Sequence, residues 1–207
     1  MILERLKLQN LKGEHEKLLD SLRRGKKTAA FGLSFGEKCH IAANLPECLN
    51  KPVLYILSDS IAASKAYEEC LQLGASTALF KARDEMLLYS AAQSSESLYG
   101  RLNALGAAVT GRADLVITTP DALIQKAPDP EWFYNSVLRF KKGKEYKLDV
   151  IVKALVMSGY RRETLINARA QFALRGDILD IFPVNSEFPV RLEFFGDELE
   201  SIKFFAL

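Results

Sequence analysis

Histidine, cysteine and tryptophan are scarce in this 207-residue chain, with two, three and one copies. His15 and His40 lie beside no cysteine pair, so a structural zinc site has no ligand set. Cys39, Cys48 and Cys70 are an odd number at spacings that fit no disulfide framework, and reduced thiols are expected. An excess of charge of one sign is also missing, because 28 Lys and Arg face 26 Asp and Glu. That balance argues against a dedicated nucleic-acid binder, whose affinity rests on many cations displacing counterions from phosphates. Long apolar runs, internal repeats and low-complexity tracts are absent. The opening MILERLKLQNLKGEHEKLL has leucines at helical spacing interrupted by charges, which is an amphipathic-helix pattern and neither a signal peptide nor a membrane span. A soluble, cytoplasmic chain with no membrane partner is the expectation.

What is present is ordinary globular material, 48% hydrophobic and 26% charged. A chain of this length buries roughly 70% of its unfolded surface and can form one or two domains without a disulfide or metal. The charge balance is local as well as global. Residues 1–125 hold 15 basic and 14 acidic side chains, 126–175 hold 11 against 5, and 176–207 hold 2 against 7.

Strand and helix signals alternate through the first 125 residues. Short apolar runs at 28–33, 53–57, 77–80 and 115–118 read as buried parallel strands, and 37–45, 61–73 and 95–109 read as helices, the second stopped by Gly74. Such alternation implies an open α/β sheet. Pro128 and Pro130 in KAPDPEW mark a boundary, which sets domains of 1–126 and 127–207. Beyond it come a strand at 136–140, a basic turn, a helix at 148–158 and two or three further strands, an α+β pattern.

Three segments carry candidate chemistry. The first is GLSFGEKC, where a phosphate-binding loop would sit. Gly32 and Lys38 fit that pattern and Gly36 adds a second glycine out of place, but Glu37 stands where the second required glycine belongs and Cys39 replaces the magnesium-binding hydroxyl. A carboxylate facing a phosphate charge costs roughly 4 kcal/mol at 4 Å and an effective dielectric of 20, and a thiol is a poor ligand for a hard cation. A working nucleotide site, a chance match and a decayed loop on a nucleotide-binding fold all remain open on the residues, and hydrolysis is disfavoured because LVITTPD offers only Asp121 beyond Pro120.

The second segment is 171–205. Alternation in VRLEFF sets Val190, Leu192 and Phe194 on one face and Arg191, Glu193 and Phe195 on the other. In the strand before it, Phe172 and Leu174 face away from Arg175. If these two strands pair across 183–189, Arg175, Arg191 and Phe195 share an exposed surface with the composition of an interface hot spot. The alternative packs Phe195 under the terminal strand and leaves the arginines solvated or paired with Glu193 and Asp197. The third segment is the basic cluster Arg139, Lys141, Lys142, Lys144 and Lys147 with Arg161 and Arg162, to which no role is assigned.

The run SGYRRETLINARAQFALRGDILDIFPVNSEFPVRLEFFGDELESIKFF resembles the UvrB-like module shared by the excision-repair protein UvrB and the transcription-repair coupling factors. Weaker similarity runs through FKARDEMLLYSAAQSSESLYGRLNAL, and Ala170 departs from the glycine usual after the arginine. The broken loop, and only Tyr89 and Tyr99 where UvrB carries a tyrosine-rich hairpin, favour the N-terminal part of a bacterial coupling factor. The resemblance implies an incomplete P-loop NTPase-like sheet of the RecA or helicase type followed by a UvrB-like α+β domain. It implies a non-catalytic fragment without cofactor, because the family's ATP, magnesium and translocase motor belong outside this stretch. It also implies UvrA as partner through Arg175, Arg191 and Phe195. RNA polymerase, double-stranded DNA and a masking C-terminal domain are implied as partners of the full-length family.

Overall fold

The alternating runs of the first 125 residues fold as a three-stranded parallel sheet with helices on both faces. The computed structural model describes residues 13–83 and 95–207, and the chain divides into units Met1–Ala127 and Pro128–Leu207. Residues 1–12 of the amphipathic opening, and Tyr89 with the stretch around it, lie outside the described residues.

In the first unit, α1 (Glu14–Arg23) and α2 (Phe35–Leu49) precede β1 (Val53–Ile56), α3 (Ser60–Gln72), β2 (Thr77–Phe80), α4 (Ser95–Val109), β3 (Leu115–Thr118) and α5 (Pro120–Ile124). The strand order is β1-β3-β2, so the last strand lies between the first two. Because side chains alternate, Val53, Tyr55, Leu79, Leu115 and Ile117 face α2 and α3, where Cys39, Ala42, Ala63, Ala66 and Cys70 complete one core. Ala78, Phe80 and Val116 face the other way, against Ala104 of α4 and Ala122 of α5. Alanines at these helical contacts let the helices sit close to the sheet. Asp59 caps α3 by accepting from the backbone N–H of Ala62 at 2.8 Å, and Gly74, at φ +82°, ends the turn after it. Arg101 of α4 is buried; it donates to the Lys81 carbonyl at 2.6 Å and stacks over the Phe80 ring at 4.1 Å.

The strand expected at 28–33 does not form. Residues 28–31 are exposed and Phe31 is 90% exposed. A strand needs a ladder partner to satisfy its amides, and among the described residues no strand pairs with this run.

The second unit holds α6 (Pro130–Asn135), α7 (Leu148–Met157) and β4 (Arg161–Arg162), β5 (Gln171–Arg175), β6 (Ile178–Phe182), β7 (Val190–Phe195) and β8 (Glu198–Phe204) in one sheet of that order. β4 runs parallel to β5 and every later pairing is antiparallel. One sheet face packs Phe172, Leu179, Ile181, Leu192, Phe194 and Leu199 on Ile151 and Leu155 of α7. Burying each such side chain stabilises by about 1.5–3 kcal/mol.

Three expectations fail in this unit, the first being the strand count, since five strands follow α7 where two or three were expected. Residues 136–140 form no strand: Asp129 and Pro130 start α6 instead, with Asp129 accepting from Trp132 N–H at 2.9 Å. Phe140 then packs edge-on against Tyr146, with ring centroids 5.4 Å apart. The hairpin drawn across 183–189 is also misplaced, because β6 lies between β5 and β7. Gly176 and Gly196, at φ +58° and +61°, each lead a two-residue turn, so RGDI and FGDE close as tight hairpins.

Candidate partner-binding site

The sheet face of the second unit that α7 leaves free carries charged side chains on four neighbouring strands, β5 to β8. Asp180 lies mid-β6 directly opposite Arg191 of β7, while Arg175 lies at the end of β5, diagonal to it. Asp180 is 3% exposed. Arg191 donates to it side-on, through Nε at 2.7 Å and Nη2 at 2.9 Å, and Arg175 donates Nη2 at 2.9 Å. One buried carboxylate therefore organises two guanidinium groups, whose side chains stay 52% exposed for Arg175 and 34% for Arg191. Burial raises the Asp180 carboxyl, but hydrogen bonds from Arg191 and Arg175, reinforced by their charge, outweigh it and leave the group below its ordinary value. The bond to Asp180 likewise pushes Arg191 above its usual value.

The surroundings fix this triad. The Arg191 guanidinium lies 5.2 Å from the Phe205 ring centroid, and Phe205 packs with Ile166, Ala173 and Phe182 over the adjoining part of the same face. Glu193, next on that side of β7, accepts from Lys203 at 2.7 Å and from Ser201, and these bonds hold its carboxyl low. Arg175, Arg191 and Lys203 against Asp180 and Glu193 leave one positive charge. Phe195 follows at the end of β7 opposite Glu198, 76% exposed, while Phe194 beside it is buried.

Of the residues named from sequence, Arg175 and Arg191 are brought together and Phe195 stands exposed on their side of β7. They are joined through β6 and do not pair directly, and neither arginine bonds Glu193 or Asp197. Asp180 was missed by sequence reasoning. Its signal was there: a single acid in the apolar run Ile178-Leu179-Asp180-Ile181-Phe182 sits on a strand whose other members are largely buried.

The loop residues are arranged differently. Gly32 takes φ +76° ahead of α2. Ser34 caps the helix by accepting from Glu37 N–H at 3.3 Å, while the Glu37 carboxylate accepts from the Ser34 N–H and hydroxyl, each at 2.7 Å. These bonds, the hydroxyl first, lower the Glu37 pKa. An acid of the chain itself thus occupies the helix N-terminus, where a phosphate would need to bind. A Cβ added at Gly36 would lie 3.1 Å from Glu69 Oε1, so that glycine serves the approach of α2 to α3. Lys38 is exposed. Cys39 is fully buried in the α2–α3 core, where the Cys70 thiol donates to its carbonyl at 3.6 Å. Burial raises the Cys39 thiol and pushes Cys70 up to about 12. Of the five, Lys38 is thus turned to solvent and Cys39 into the core.

Arg139, Lys141, Lys142, Lys144 and Lys147 are exposed, and Arg139 stacks over Tyr134 at 4.5 Å. The turn is held on the sheet edge by the bonds of Gly143 N–H to Leu199 O and Leu199 N–H to Lys144 O. Among the described residues no three His, Cys, Asp or Glu side chains cluster as metal ligands, and no helix is long and apolar enough to cross a membrane.

Residues 138–207, which contain the whole Arg175–Asp180–Arg191 arrangement and Phe195, match the UvrB interaction domain family. The chain is 28% identical over 197 residues to the transcription-repair-coupling factor of Bacillus subtilis, covering 94% of this chain and 16% of that protein. It is 29% identical over 185 residues to UvrABC system protein B of Dehalococcoides mccartyi, covering 83% of this chain and 28% of that protein. A coupling factor of Staphylococcus aureus is 30% identical over 180 residues, 86% of this chain and 15% of the relative. The chain thus spans less than a third of the length of each of these relatives.

Proposed function

We propose that this chain, a UvrB-like module similar over most of its length to coupling factors and to UvrB, is a docking module for UvrA that serves nucleotide excision repair. Its second unit presents Arg175 and Arg191 for carboxylates and Phe195 for apolar contact. In a longer coupling factor it would bring UvrA to RNA polymerase stalled at DNA damage by presenting a UvrB-like surface. The observation that carries this reading is the pair of partly exposed arginines set by one buried carboxylate, with an exposed phenylalanine further along the same face of β7, inside the segment that matches the UvrB interaction domain. Charge-assisted, planar guanidinium contacts with an aromatic beside them are what protein hot spots use.

The first unit is, on this reading, a non-catalytic scaffold descended from a P-loop NTPase-like sheet. The capping box of Ser34 and Glu37, with Cys39 turned into the core, supports that role over nucleotide hydrolysis. Arg191→Ala and Phe195→Ala should each weaken UvrA binding by about 1–3 kcal/mol; thermal unfolding should be unchanged in Phe195→Ala and lowered in Arg191→Ala, which removes two of the three hydrogen bonds of buried Asp180. Retention of UvrA by both variants at the parent level in a pull-down would overturn the docking role. A saturable heat on titrating the chain with ATP and magnesium would restore the enzymatic alternative centred on Lys38.

A further inference from the structure

Asp180 is the most buried charged group on the binding face, and the two arginines bonded to it cover its carboxylate. Its three hydrogen bonds use the Nε and Nη2 of Arg191 and one Nη2 of Arg175. A side-on bidentate bond fixes the plane of a guanidinium as well as its position. The Phe205 ring lies against the same group, with its centroid 5.2 Å from the guanidinium carbon. With Glu193 engaged by Lys203 and Ser201, Asp180 is the acid to which both arginines are bonded.

We infer that Asp180 is a positioning residue that locks Arg175 and Arg191 into one fork whose remaining N–H groups are aimed outward at a single partner carboxylate. The inference rests on the docking role proposed above and specifies the chemistry of the partner: an acidic side chain seated between the two guanidinium groups, opposite Asp180. Two cations share one internal anion, so a second carboxylate completes the pairing of the cluster and leaves no charge unmatched. Preformed orientation lowers the ordering cost of binding, because two long side chains need not be immobilised at the moment of contact.

Positioning and simple charge attraction predict opposite signs. Asp180→Asn raises the net charge of the face by one and keeps the side-chain shape. If the arginines act only as charges, an acidic partner binds this variant more tightly. If Asp180 positions them, binding falls despite the added positive charge.

The experiment measures UvrA binding to the purified chain and its Asp180→Asn, Arg191→Ala and Arg191→Lys variants, with thermal unfolding of each. Asp180→Asn is expected to weaken binding about tenfold. Arg191→Lys, which keeps the charge and loses the planar fork, is expected to lose nearly as much as Arg191→Ala. Equal or tighter binding by Asp180→Asn, with Arg191→Ala weakened, overturns the positioning role and leaves the docking role standing. Unchanged binding by Arg191→Ala overturns the positioning role, and the docking role falls with it if Phe195→Ala also binds at the parent level. Should Asp180→Asn fail to fold, Arg191→Lys decides, and parent-level binding by that variant overturns the inference.

Discussion

Ala170 holds a left-handed backbone conformation at φ +60°, a region in which a Cβ meets the following carbonyl. It cannot relax cheaply, because its N–H donates to the Phe182 carbonyl at 2.9 Å and its carbonyl accepts from Arg161 at 2.8 Å. Those bonds join β4, β5 and β6 at one residue. Ala170→Gly should therefore raise stability by about 0.5–1 kcal/mol, the relief exceeding the extra entropy glycine gives the unfolded chain; denaturant unfolding checks it. Sequence marked this position, since alanine stands where related chains are expected to carry glycine, and the φ angle supplies the reason. Asp180 was less legible. Alternation identified Arg191 as outward from its own strand, but the acid that sets it lies on a different strand, and cross-strand registry is not written in either segment alone.

At the scale of elements, α2 shows how one stretch can carry two patterns. GLSFGEKC carries part of the glycine and lysine spacing of a phosphate loop, whereas the same residues, as Ser34-x-x-Glu37, are a capping box. The capping chemistry is the one the helix uses, because four N-terminal amides need acceptors whether or not a phosphate is present. Ser34→Ala should cost about 1 kcal/mol in unfolding free energy and return the Glu37 carboxyl toward its ordinary value, measurable by NMR titration of that side chain. The helices at 60–72, 95–109 and 148–157 and the strands at 53–56, 77–80 and 115–118 were legible because their periodicity and end signals agree. The strands expected at 28–33 and 136–140 failed for different reasons. The first has β-forming residues without a described partner strand, and the second follows a proline-led helix start that local reading passed over.

Across the whole molecule, the carboxylates with lowered pKa lie in both units: Glu37 and Asp59 as helix caps in the first, Asp180 and Glu193 as ion-pair partners in the second. Each binds its proton less readily when folded than when unfolded, where the value is about 4. Their contribution is therefore complete above that range and is lost as pH falls through the lower folded values. Denaturation midpoints should hold steady from pH 7 to about 5 and then drop. In Asp180→Asn the drop assigned to the second unit should be shallower, and an unchanged slope would show that this carboxylate does not couple to folding. The amino-acid sequence by itself determined the class of most elements and the outward face of β7, because hydrophobic period and glycine act over a few residues. Only the tertiary structure decided that β6 separates the two arginines, that Asp180 joins them, and that Glu37 closes the helix end, because strand order and shared counter-ions depend on which distant residues the folded chain brings within bonding distance.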